Sequence, residues 1–88
     1  MNILAADQEE ISNRFATPGP KEFSDLDFSE GQSGSPILAG TLGWVDCRLK
    51  EVLSGGDHDI FVGEIIEGQE GEGSPLLFFG GRYAALAE

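Results

Sequence analysis

Two alternating segments on either side of a glycine-rich turn constrain the fold of this chain more than any other feature. Residues 44–53 alternate between apolar and polar side chains, and residues 58–67 carry apolar side chains at both alternating positions. Alternation with a period of two is typical of β-strands, and a strand that is apolar on both faces is typical of a sheet interior. The Ser-Gly-Gly-Asp sequence at residues 54–57 has the composition of a tight turn. The sequence therefore predicts a central β-hairpin.

The first of these segments, taken as a strand, has one apolar and one charged face. Its alternation places Val45, Cys47, Leu49 and Leu53 on one side and Asp46, Arg48 and Lys50 on the other. In the second segment Gly63 interrupts the apolar run, and a glycine inside a strand indicates a bulge or a close backbone approach. We therefore expect the first strand to have faces of different chemistry and the second strand to be central in the sheet, with a bulge or a close backbone approach at Gly63.

The segment before the hairpin predicts one helix. Residues 3–16 have apolar side chains near one helical face, at Ile3, Leu4, Ile11 and Phe15. Acidic residues occupy the other side, as in a helix that is half in contact with solvent. The Thr-Pro-Gly-Pro sequence at residues 17–20 then ends the helix.

The remaining segments predict a loop, a short strand and a tail. Residues 17–41 form a polar loop, which is anchored to the core by Phe23, Leu26 and Phe28. Residues 75–79 form a short apolar strand, and the glycine pair at 80–81 ends it before the C-terminal tail. The predicted fold class is mainly β with one N-terminal helix, an antiparallel meander with strands at about 42–79, in a single domain over residues 1–88.

The net charge of the chain restricts the classes of ligand that it can bind. Asp and Glu number 16 against 5 Lys and Arg, giving a net charge of −11. Such a chain repels phosphate backbones and anionic headgroups, so we expect neither nucleic-acid nor membrane binding. The net charge does not exclude an anionic cofactor, because one nearby Arg or a row of backbone amides can outweigh the electrostatic field of the whole chain.

The composition also limits location and site chemistry. No apolar run approaches the ~20 residues of a membrane span, and the N-terminus lacks a signal-peptide pattern, so we expect a cytoplasmic protein. A single Cys and a single His exclude an intrachain disulfide and a His/Cys metal site. We therefore predict no metal ligands.

Asp57-His58, directly after the turn, is the first candidate site. An Asp beside a His can set the tautomer of the imidazole and make it a hydrogen-bond donor to a ligand. The alternative is structural: Asp57 favours the turn, and His58 is a half-exposed first residue of a strand. On spacing alone the structural interpretation is favoured, because sequence neighbours point to opposite faces of a strand.

Arg82-Tyr83 and Phe15 are the other candidates. An Arg after a glycine pair can hold an anionic group, and an adjacent aromatic can stack on a planar ring. The alternatives are an ion pair for Arg82 and packing against the core for Tyr83. For Phe15, at the end of the predicted helix, a core position is the more frequent role.

Taken together, these segments resemble the flavin reductase-like family, the split-barrel flavoproteins that supply reduced flavin to two-component monooxygenases. The resemblance covers nearly the whole chain. The segments that carry it, in the same order as in the family, are Arg14-Phe15-Ala16, Gly34-Ser35-Pro36-Ile37-Leu38, Trp44-Val45-Asp46-Cys47-Arg48, Gly56-Asp57-His58-Asp59-Ile60-Phe61-Val62-Gly63-Glu64-Ile65, Pro75-Leu76-Leu77-Phe78-Phe79 and Gly81-Arg82-Tyr83.

The resemblance implies a function and a site. It implies NAD(P)H-dependent reduction of FMN or FAD, with no side chain assigned a catalytic role because the cofactors carry the chemistry. Gly56, Asp57 and His58 would lie at the nicotinamide and flavin end of the barrel, with His58 contacting the pyridine nucleotide. Arg82 and Tyr83 would lie near the same site.

The resemblance also has implications for assembly. Phe15 would lie near the flavin or the subunit interface of a homodimer. Family domains are roughly twice as long, so the chain corresponds to the C-terminal half of a split barrel. The half that grips the flavin has no counterpart here. A non-catalytic remnant or a dimerising module of the same fold is therefore the alternative function.

Overall fold

The computed structural model describes residues 1–87, and strands make up most of it. In chain order the elements are β1 (Asn2–Ile3), α1 (Glu9–Ala16), β2 (Phe28–Glu30), β3 (Pro36–Leu38), β4 (Gly43–Gly55), β5 (His58–Glu70), β6 (Leu77–Phe79) and β7 (Arg82–Ala84). They form a three-stranded sheet in the order β1-β4-β5 and two smaller hairpins, β2-β3 and β6-β7. The strand predicted to be central, β5, is therefore an edge strand within the described residues. All strand pairs are antiparallel, and no sheet within the described residues closes into a barrel. The predicted fold class is confirmed.

The predicted hairpin contains the two longest strands of the described residues. Strands β4 and β5 have 13 residues each and pair along their full lengths, up to Gly55 opposite His58 at the tip. The turn between them has two residues, and Gly56 takes a φ of +74° at its first position. A positive φ at that position is the pattern of a type II′ turn, which glycine adopts without strain.

A bulge at Lys50 changes which side chains of β4 share a face. Leu49 pairs with Gly63 and Glu51 pairs with the adjacent Val62, so Lys50 is an extra residue. Because an extra residue reverses the alternation beyond it, Leu53 lies on the face opposite to Leu49. The prediction that Leu53 shares a face with Leu49 was wrong.

The prediction of a bulge or a close backbone approach at Gly63 is confirmed for the bulge, and the close neighbour of Gly63 is a side chain. Gly63 borders the bulge at Lys50, and a Cβ at Gly63 would lie 3.1 Å from the Cβ of Cys47. A second bulge lies nearer β1, where Ile66 is extra between the pairs made by Glu67 and Ile65.

The helix is shorter than predicted, since α1 begins at Glu9 rather than near residue 3. Residues before it make long-range backbone pairings instead: Ile3 pairs with Gly43 of β4, and Ala5 forms an isolated bridge to Pro75, outside the strands. The periodicity of apolar residues gave no signal for these long-range pairings, which override local helix propensity. The predicted helical start was wrong for residues 3–8.

The predicted loop and tail contain strands that the sequence patterns missed. The hairpin β2-β3 lies within residues 17–41, and β7 lies in the segment called a tail. Gly80 and Gly81 have φ values of +63° and +79°, so this glycine pair forms a hairpin turn instead of ending the sheet. Of the three side chains expected to anchor the loop, Phe23 packs against Phe15 of the helix, with ring centroids 5.3 Å apart, while Phe28 packs against Phe23 within the loop, at 5.5 Å, and is itself exposed.

Few side chains are buried in the described residues. Leu38 is the one large apolar side chain among them that is buried, at 8% exposure, while Gln8 and Asp46 are buried polar residues. Asp46, on the charged face of β4, is only 3% exposed because the β2-β3 loop folds over it.

Candidate functional site

The tip of the β4-β5 hairpin places His58 and Asp57 in direct contact. The Nδ1 atom of His58 lies 2.9 Å from an oxygen of the Asp57 carboxylate. An ionised carboxylate only accepts hydrogen bonds, so this contact assigns the ring proton to Nδ1, which donates a hydrogen bond to Asp57. This contact leaves Nε2 of His58 available to a ligand, and the side chain is 72% exposed.

Gly55 sets the position of the His58 ring. It is the cross-strand partner of His58, and a Cβ at Gly55 would lie 3.4 Å from both Cδ2 and Nε2 of the imidazole. The ring therefore lies against the backbone of Gly55. The sequence interpretation treated Gly55 only as a turn residue, and its role depends on the register of the hairpin, which the sequence does not give.

Two apolar side chains lie next to His58 on the same face of the hairpin. Leu53 and Ile60 form the next cross-strand pair with that orientation, and both are exposed. The tip thus combines an imidazole that has one free ring nitrogen with an adjoining apolar surface. This combination suits a planar ring that carries a polar substituent.

Tyr83 lies elsewhere, on β7 against the helix. Its hydroxyl is 2.7 Å from Oγ of Ser12 and 3.2 Å from Oδ1 of Asn13. Its ring packs edge-on against Phe78, with centroids 5.2 Å apart. In this chain Tyr83 connects the β6-β7 hairpin to α1.

Arg82 precedes Tyr83 and points away from this contact, since consecutive strand residues alternate in direction. It is exposed and, among residues 1–87, makes no ion pair. The ion pair weighed for it in the sequence is thus not seen in that range. A guanidinium without a carboxylate partner can accept an anionic group.

Phe15 is half-buried at the end of α1 and lines a groove of about 340 Å³. The groove lies between the helix and β3, and its walls are Asn2, Leu4, Ile11, Ser12, Phe15, Phe23, Pro36 and Leu38. Most of these side chains are apolar. Phe15 therefore both packs against Phe23 and contributes to an open apolar surface.

The candidate residues thus form two groups in the chain. Gly56, Asp57 and His58 lie at the hairpin tip, whereas Tyr83 and Phe15 lie at the helix, with Arg82 beside Tyr83. No hydrogen bond or ion pair between described residues joins the two groups. The sequence interpretation expected Arg82 and Tyr83 near His58, and within one copy of residues 1–87 no contact brings them together.

A cluster around Asp46 was missed by the sequence interpretation. The Asp46 carboxylate accepts hydrogen bonds from the backbone N–H of Ser33, at 2.9 Å, and from the Ser33 hydroxyl. The Ser33 hydroxyl and then its backbone N–H hold the pKa of Asp46 below its ordinary value. A Cβ at Gly31 would lie 2.5 Å from this carboxylate, so a larger residue at position 31 would displace the Asp46 side chain. The Gly-Ser pattern of this loop was the available signal.

Arg14 and Asp25 form a two-point ion pair between the helix and the following loop. The guanidinium nitrogens lie 2.6 and 2.8 Å from the two carboxylate oxygens. This hydrogen bonding raises the pKa of Arg14 and lowers the pKa of Asp25. Arg14 is therefore engaged within the chain.

Comparison with known proteins identifies the family. A model described as "Flavin reductase like domain" matches residues 1–87. The reductase component of 4-nitrophenol 4-monooxygenase/4-nitrocatechol 2-monooxygenase from Rhodococcus opacus is 43% identical over 83 residues, covering 94% of this chain and 44% of that protein. The FMN reductase (NADH) SmoA from Agrobacterium fabrum is 39% identical over 87 residues, covering 99% of this chain and 49% of that protein.

A solved structure agrees with these sequence matches. The NADH:FAD oxidoreductase SgcE6 from Streptomyces globisporus C-1027, in complex with NAD and FAD fragments, superposes with a TM-score of 0.86 at 33% identity. The match covers 98% of this chain and 53% of that one. The fold, built from antiparallel strands, is thus that of the flavin reductases, and the chain belongs to the flavin reductase-like family. It spans about half the length of the relatives it matches.

No helix in the described part of the chain is long and apolar enough to cross a membrane.

Proposed function

We propose that this chain is part of a domain that reduces flavin with a nicotinamide nucleotide and supplies the reduced flavin to a monooxygenase. The names of the relatives support this function: one is the reductase component of a monooxygenase, one an NADH-dependent FMN reductase, and one an NADH:FAD oxidoreductase. The observation that carries the proposal is the exposed His58, whose Nδ1 is held by Asp57 and whose Nε2 is available.

His58 is proposed to bind the nicotinamide nucleotide. Its Nε2 would meet a polar group of the nucleotide, while Leu53 and Ile60 offer an apolar surface beside it. Asp57 fixes the tautomer, and the turn at Gly56 presents both side chains at the end of the hairpin. The bound cofactors, FMN or FAD with NADH or NADPH, supply the hydride transfer itself. The chain contributes orientation, which brings the reacting rings within range of each other.

Arg82, Tyr83 and Phe15 are proposed as a second, weaker part of the binding surface. Arg82 is exposed without a carboxylate partner in residues 1–87, which suits a phosphate group. Phe15 and Tyr83 lie beside α1, where the groove of about 340 Å³ offers an apolar wall. Both side chains also have structural contacts, so their contribution to ligand binding is proposed to be smaller than that of His58.

We further propose that the complete protein is a cytoplasmic homodimer. Phe78 and Phe79 on β6 are 65% and 83% exposed, and apolar side chains of this size favour a protein contact. If they form the dimer contact, Phe79→Ser will shift the sedimentation of the protein from dimer to monomer. A Phe79→Ser protein that sediments as the unchanged dimer would place the interface elsewhere.

The test of the nucleotide site uses the only His in the chain. The ring protons of His58 are followed by NMR while the purified chain is titrated with NADH, and we expect them to shift. Asp57→Ala should weaken NADH binding about tenfold, the loss of one hydrogen bond to a charged group. Asp59→Ala is the matched control, since Asp59 flanks His58 on the other side without contacting it.

The activity test follows NADH absorbance in the presence of FMN or FAD. Oxidation of NADH that depends on flavin and falls in Asp57→Ala supports the proposal. If the His58 protons do not respond to NADH and no NADH is oxidised, the proposed function is wrong for this chain.

A second candidate function is a non-catalytic binding or dimerising module. The apolar side chains exposed along the hairpin favour it, because such surfaces normally contact another protein. Sedimentation combined with flavin absorbance separates the two functions. A stable homo-oligomer that retains no flavin and leaves NADH unchanged would favour the module.

A further inference from the structure

The face of the β4-β5 hairpin that carries His58 begins, at the turn, with a short strip of uncharged side chains. We call it the tip strip, and it consists of His58, Leu53 and Ile60. Leu53 and Ile60 are 43% and 49% exposed, and the His58 side chain is 72% exposed. The tip strip therefore offers a ligand an open apolar surface beside one imidazole.

A carboxylate lies at each end of the tip strip. At the turn, an oxygen of Asp57 lies 2.9 Å from Nδ1 of His58. At the other end, Glu51 lies two residues before Leu53 on β4, and side chains two residues apart on a strand share a face. At about 3.3 Å per residue, Glu51 is about 13 Å along the strand from its last residue, Gly55. Within residues 1–87, neither carboxylate forms an ion pair with a Lys or an Arg.

Positive charge is scarce around the tip strip. Residues 51–81 contain no Lys or Arg. The nearest cations along the hairpin, Arg48 and Lys50, lie beyond Glu51 and share the carboxylate of Glu64, at 3.9 and 3.6 Å. With Glu51 and Glu64 beside them, these two cations form a cluster without net positive charge. A phosphate group on this face of the hairpin would therefore meet a carboxylate at either end of the tip strip.

The tautomer of His58 also disfavours a phosphate. Because Nδ1 donates to Asp57, Nε2 carries no proton and accepts a hydrogen bond. Amide N–H and ribose O–H groups can donate to such a nitrogen, whereas an ionised phosphate offers only acceptor oxygens. The tip strip thus suits an uncharged part of a nucleotide and repels its phosphates.

NADH and NADPH differ in the group that this chemistry distinguishes. NADH has a ribose 2′-hydroxyl where NADPH has a 2′-phosphate. The fold alone does not decide between them: SmoA is named an FMN reductase (NADH), whereas the flavin reductase HpaC was solved in complex with NADP+. HpaC is 32% identical to this chain, and the match covers 97% of this chain. The choice of nucleotide must therefore come from the side chains of each protein.

We propose that the tip strip selects NADH against NADPH, and that Asp57 and Glu51 are the residues that determine this specificity. The inference rests on the proposed function, because it names the nucleotide of the same site. Nε2 of His58 accepts a hydrogen bond from an uncharged donor of NADH, and the two carboxylates repel the 2′-phosphate of NADPH. Both carboxylates are exposed and screened by solvent, so NADH should bind only about fivefold to tenfold more tightly.

The selection is tested by titrating the purified chain with NADH and, separately, with NADPH, while the ring protons of His58 are followed by NMR. The ratio of the two dissociation constants isolates the 2′-phosphate, because the two nucleotides share all their other groups. The ratio should favour NADH about fivefold to tenfold at low salt and fall below about twofold at molar salt. A ratio near one at low salt, or a ratio that salt does not change, would overturn the proposal. This series uses the unsubstituted chain and does not depend on the folding of a variant.

Asp57→Asn separates the two roles of Asp57. The Asn carbonyl oxygen still accepts the hydrogen bond from Nδ1, so the tautomer of His58 is kept while the charge is lost. This variant and Glu51→Gln should each lower the ratio about twofold to threefold by tightening NADPH binding.

Asp59→Asn is the matched control for both variants, since it removes the same charge from the opposite face of the hairpin. It should change the ratio by less than about 1.5-fold. Equal changes in the three variants would show that the net charge of the chain sets the ratio, and the assignment to the tip strip would be wrong.

Failure of this inference and failure of the proposed function give different results. If NADPH shifts the His58 protons and binds as tightly as NADH, the nucleotide site is retained and only the selection is wrong. If NADPH binds more tightly and Lys50→Gln removes the difference, the cation cluster holds the 2′-phosphate and the selection is again wrong. If neither nucleotide shifts the His58 protons and no NADH is oxidised, the proposed function fails and this inference fails with it.

Discussion

The end of the chain around β1 and the free end of the β4-β5 hairpin are stabilised in different ways. At the first end, three polar side chains make hydrogen bonds to backbone groups far along the chain. Asn2 accepts from the N–H of Leu38, Gln8 donates to the C=O of Ala39, and Asp46 accepts from the N–H of Ser33. At the free end of the hairpin, only the backbone pairing between β4 and β5 holds the strands together, and the large apolar side chains stay exposed. The first end is complete within the chain, whereas the hairpin offers binding surfaces.

The energetics of the two regions explain the difference. Full burial of an apolar side chain stabilises a fold by about 1.5–3 kcal/mol, and the hairpin leaves most of this contribution unused. An isolated two-stranded hairpin is marginally stable in water. The chain is therefore expected to gain stability at the hairpin when a partner binds, while substitutions at the β1 end reduce the stability that the chain already has.

The largest loss of stability is expected for Gln8→Ala. The buried Gln8 amide donates to the C=O of Ala39 and accepts from the N–H of Ala5, both at 2.9 Å. Removing it leaves two backbone groups without partners, at a cost of about 2–3 kcal/mol in the free energy of unfolding. Chemical denaturation measures this loss. Gln69→Ala, at an exposed glutamine of β5, is the control and should change stability by less than about 0.5 kcal/mol. Comparable losses for the two variants would remove the contrast between the two regions.

The next effect is a pH dependence that originates at Asp46. Its pKa is lower in the folded chain than the unfolded value of about 3.9, because Ser33 bonds to the ionised carboxylate. A lowered pKa in the folded state gives stability that is present above pH ~4 and is lost as pH falls through the folded-state value. Thermal unfolding between neutral and acid pH should therefore show a falling Tm below that point.

Asp46→Asn is the variant that isolates this contribution. It should lower the Tm at neutral pH and flatten the acid-side decrease. Asp25→Asn is the comparison, since the pKa of Asp25 is also lowered, by Arg14, but this pair is exposed and solvent screens it. If Asp25→Asn flattened the profile more than Asp46→Asn did, the buried cluster would not be the source.

The sequence predicted the hairpin because its signals are local. The alternation of residues 44–53, the turn at 54–57 and the apolar run at 58–67 lie within one stretch of chain. The family was predicted from short segments whose order along the chain needs no knowledge of their contacts. The start of α1 and the strand β1 were missed because Asn2 and Ile3 pair with β4, about forty positions away. Gly63 indicated an irregularity in β5 but did not show that the extra residue is Lys50 of β4, so the face of Leu53 was assigned wrongly.

The candidate site was predicted only in part, because only some of its contacts join residues that are neighbours in the sequence. Asp57 and His58 are neighbours in the sequence, and their contact is present. The position of Tyr83 depends on a hydrogen bond to Ser12, which lies 71 positions earlier, and no spacing rule indicates such a contact. Proximity of Arg82 and Tyr83 to His58 was expected from the resemblance, and it stays a prediction for the assembled protein.

Tyr83→Phe tests whether the β7 side chain belongs to the structural region or to the binding surface. Loss of the hydroxyl contact with Ser12 should lower the free energy of unfolding by about 1 kcal/mol, the typical net value of one hydrogen bond. The affinity for NADH, measured by the His58 ring protons, should be unchanged. A variant with normal stability and weakened NADH or flavin binding would instead place the Tyr83 hydroxyl in the ligand site.

Gly55→Ala should have the smallest effect on stability and a specific effect on binding. A Cβ at Gly55 would lie 3.3 Å from the carbonyl oxygen of His58 and 3.4 Å from Cδ2 and Nε2 of its ring, so the backbone at His58 must adjust by a few tenths of an ångström and carries the imidazole with it. Because Gly55 does not take a positive φ, alanine fits the backbone, and the stability change should stay below about 0.5 kcal/mol. Displacement of Nε2 should weaken NADH binding about threefold to tenfold, as small misplacements of polar contacts do.

Ser54→Ala is the matched control for Gly55→Ala, because Ser54 is the preceding residue and faces the other side of the hairpin. It should leave NADH binding unchanged. If both substitutions weaken binding equally, the nucleotide contacts the backbone of the turn and not the imidazole. If neither does, the tip of the hairpin is not the nucleotide site, and His58 belongs with the structural residues of the chain.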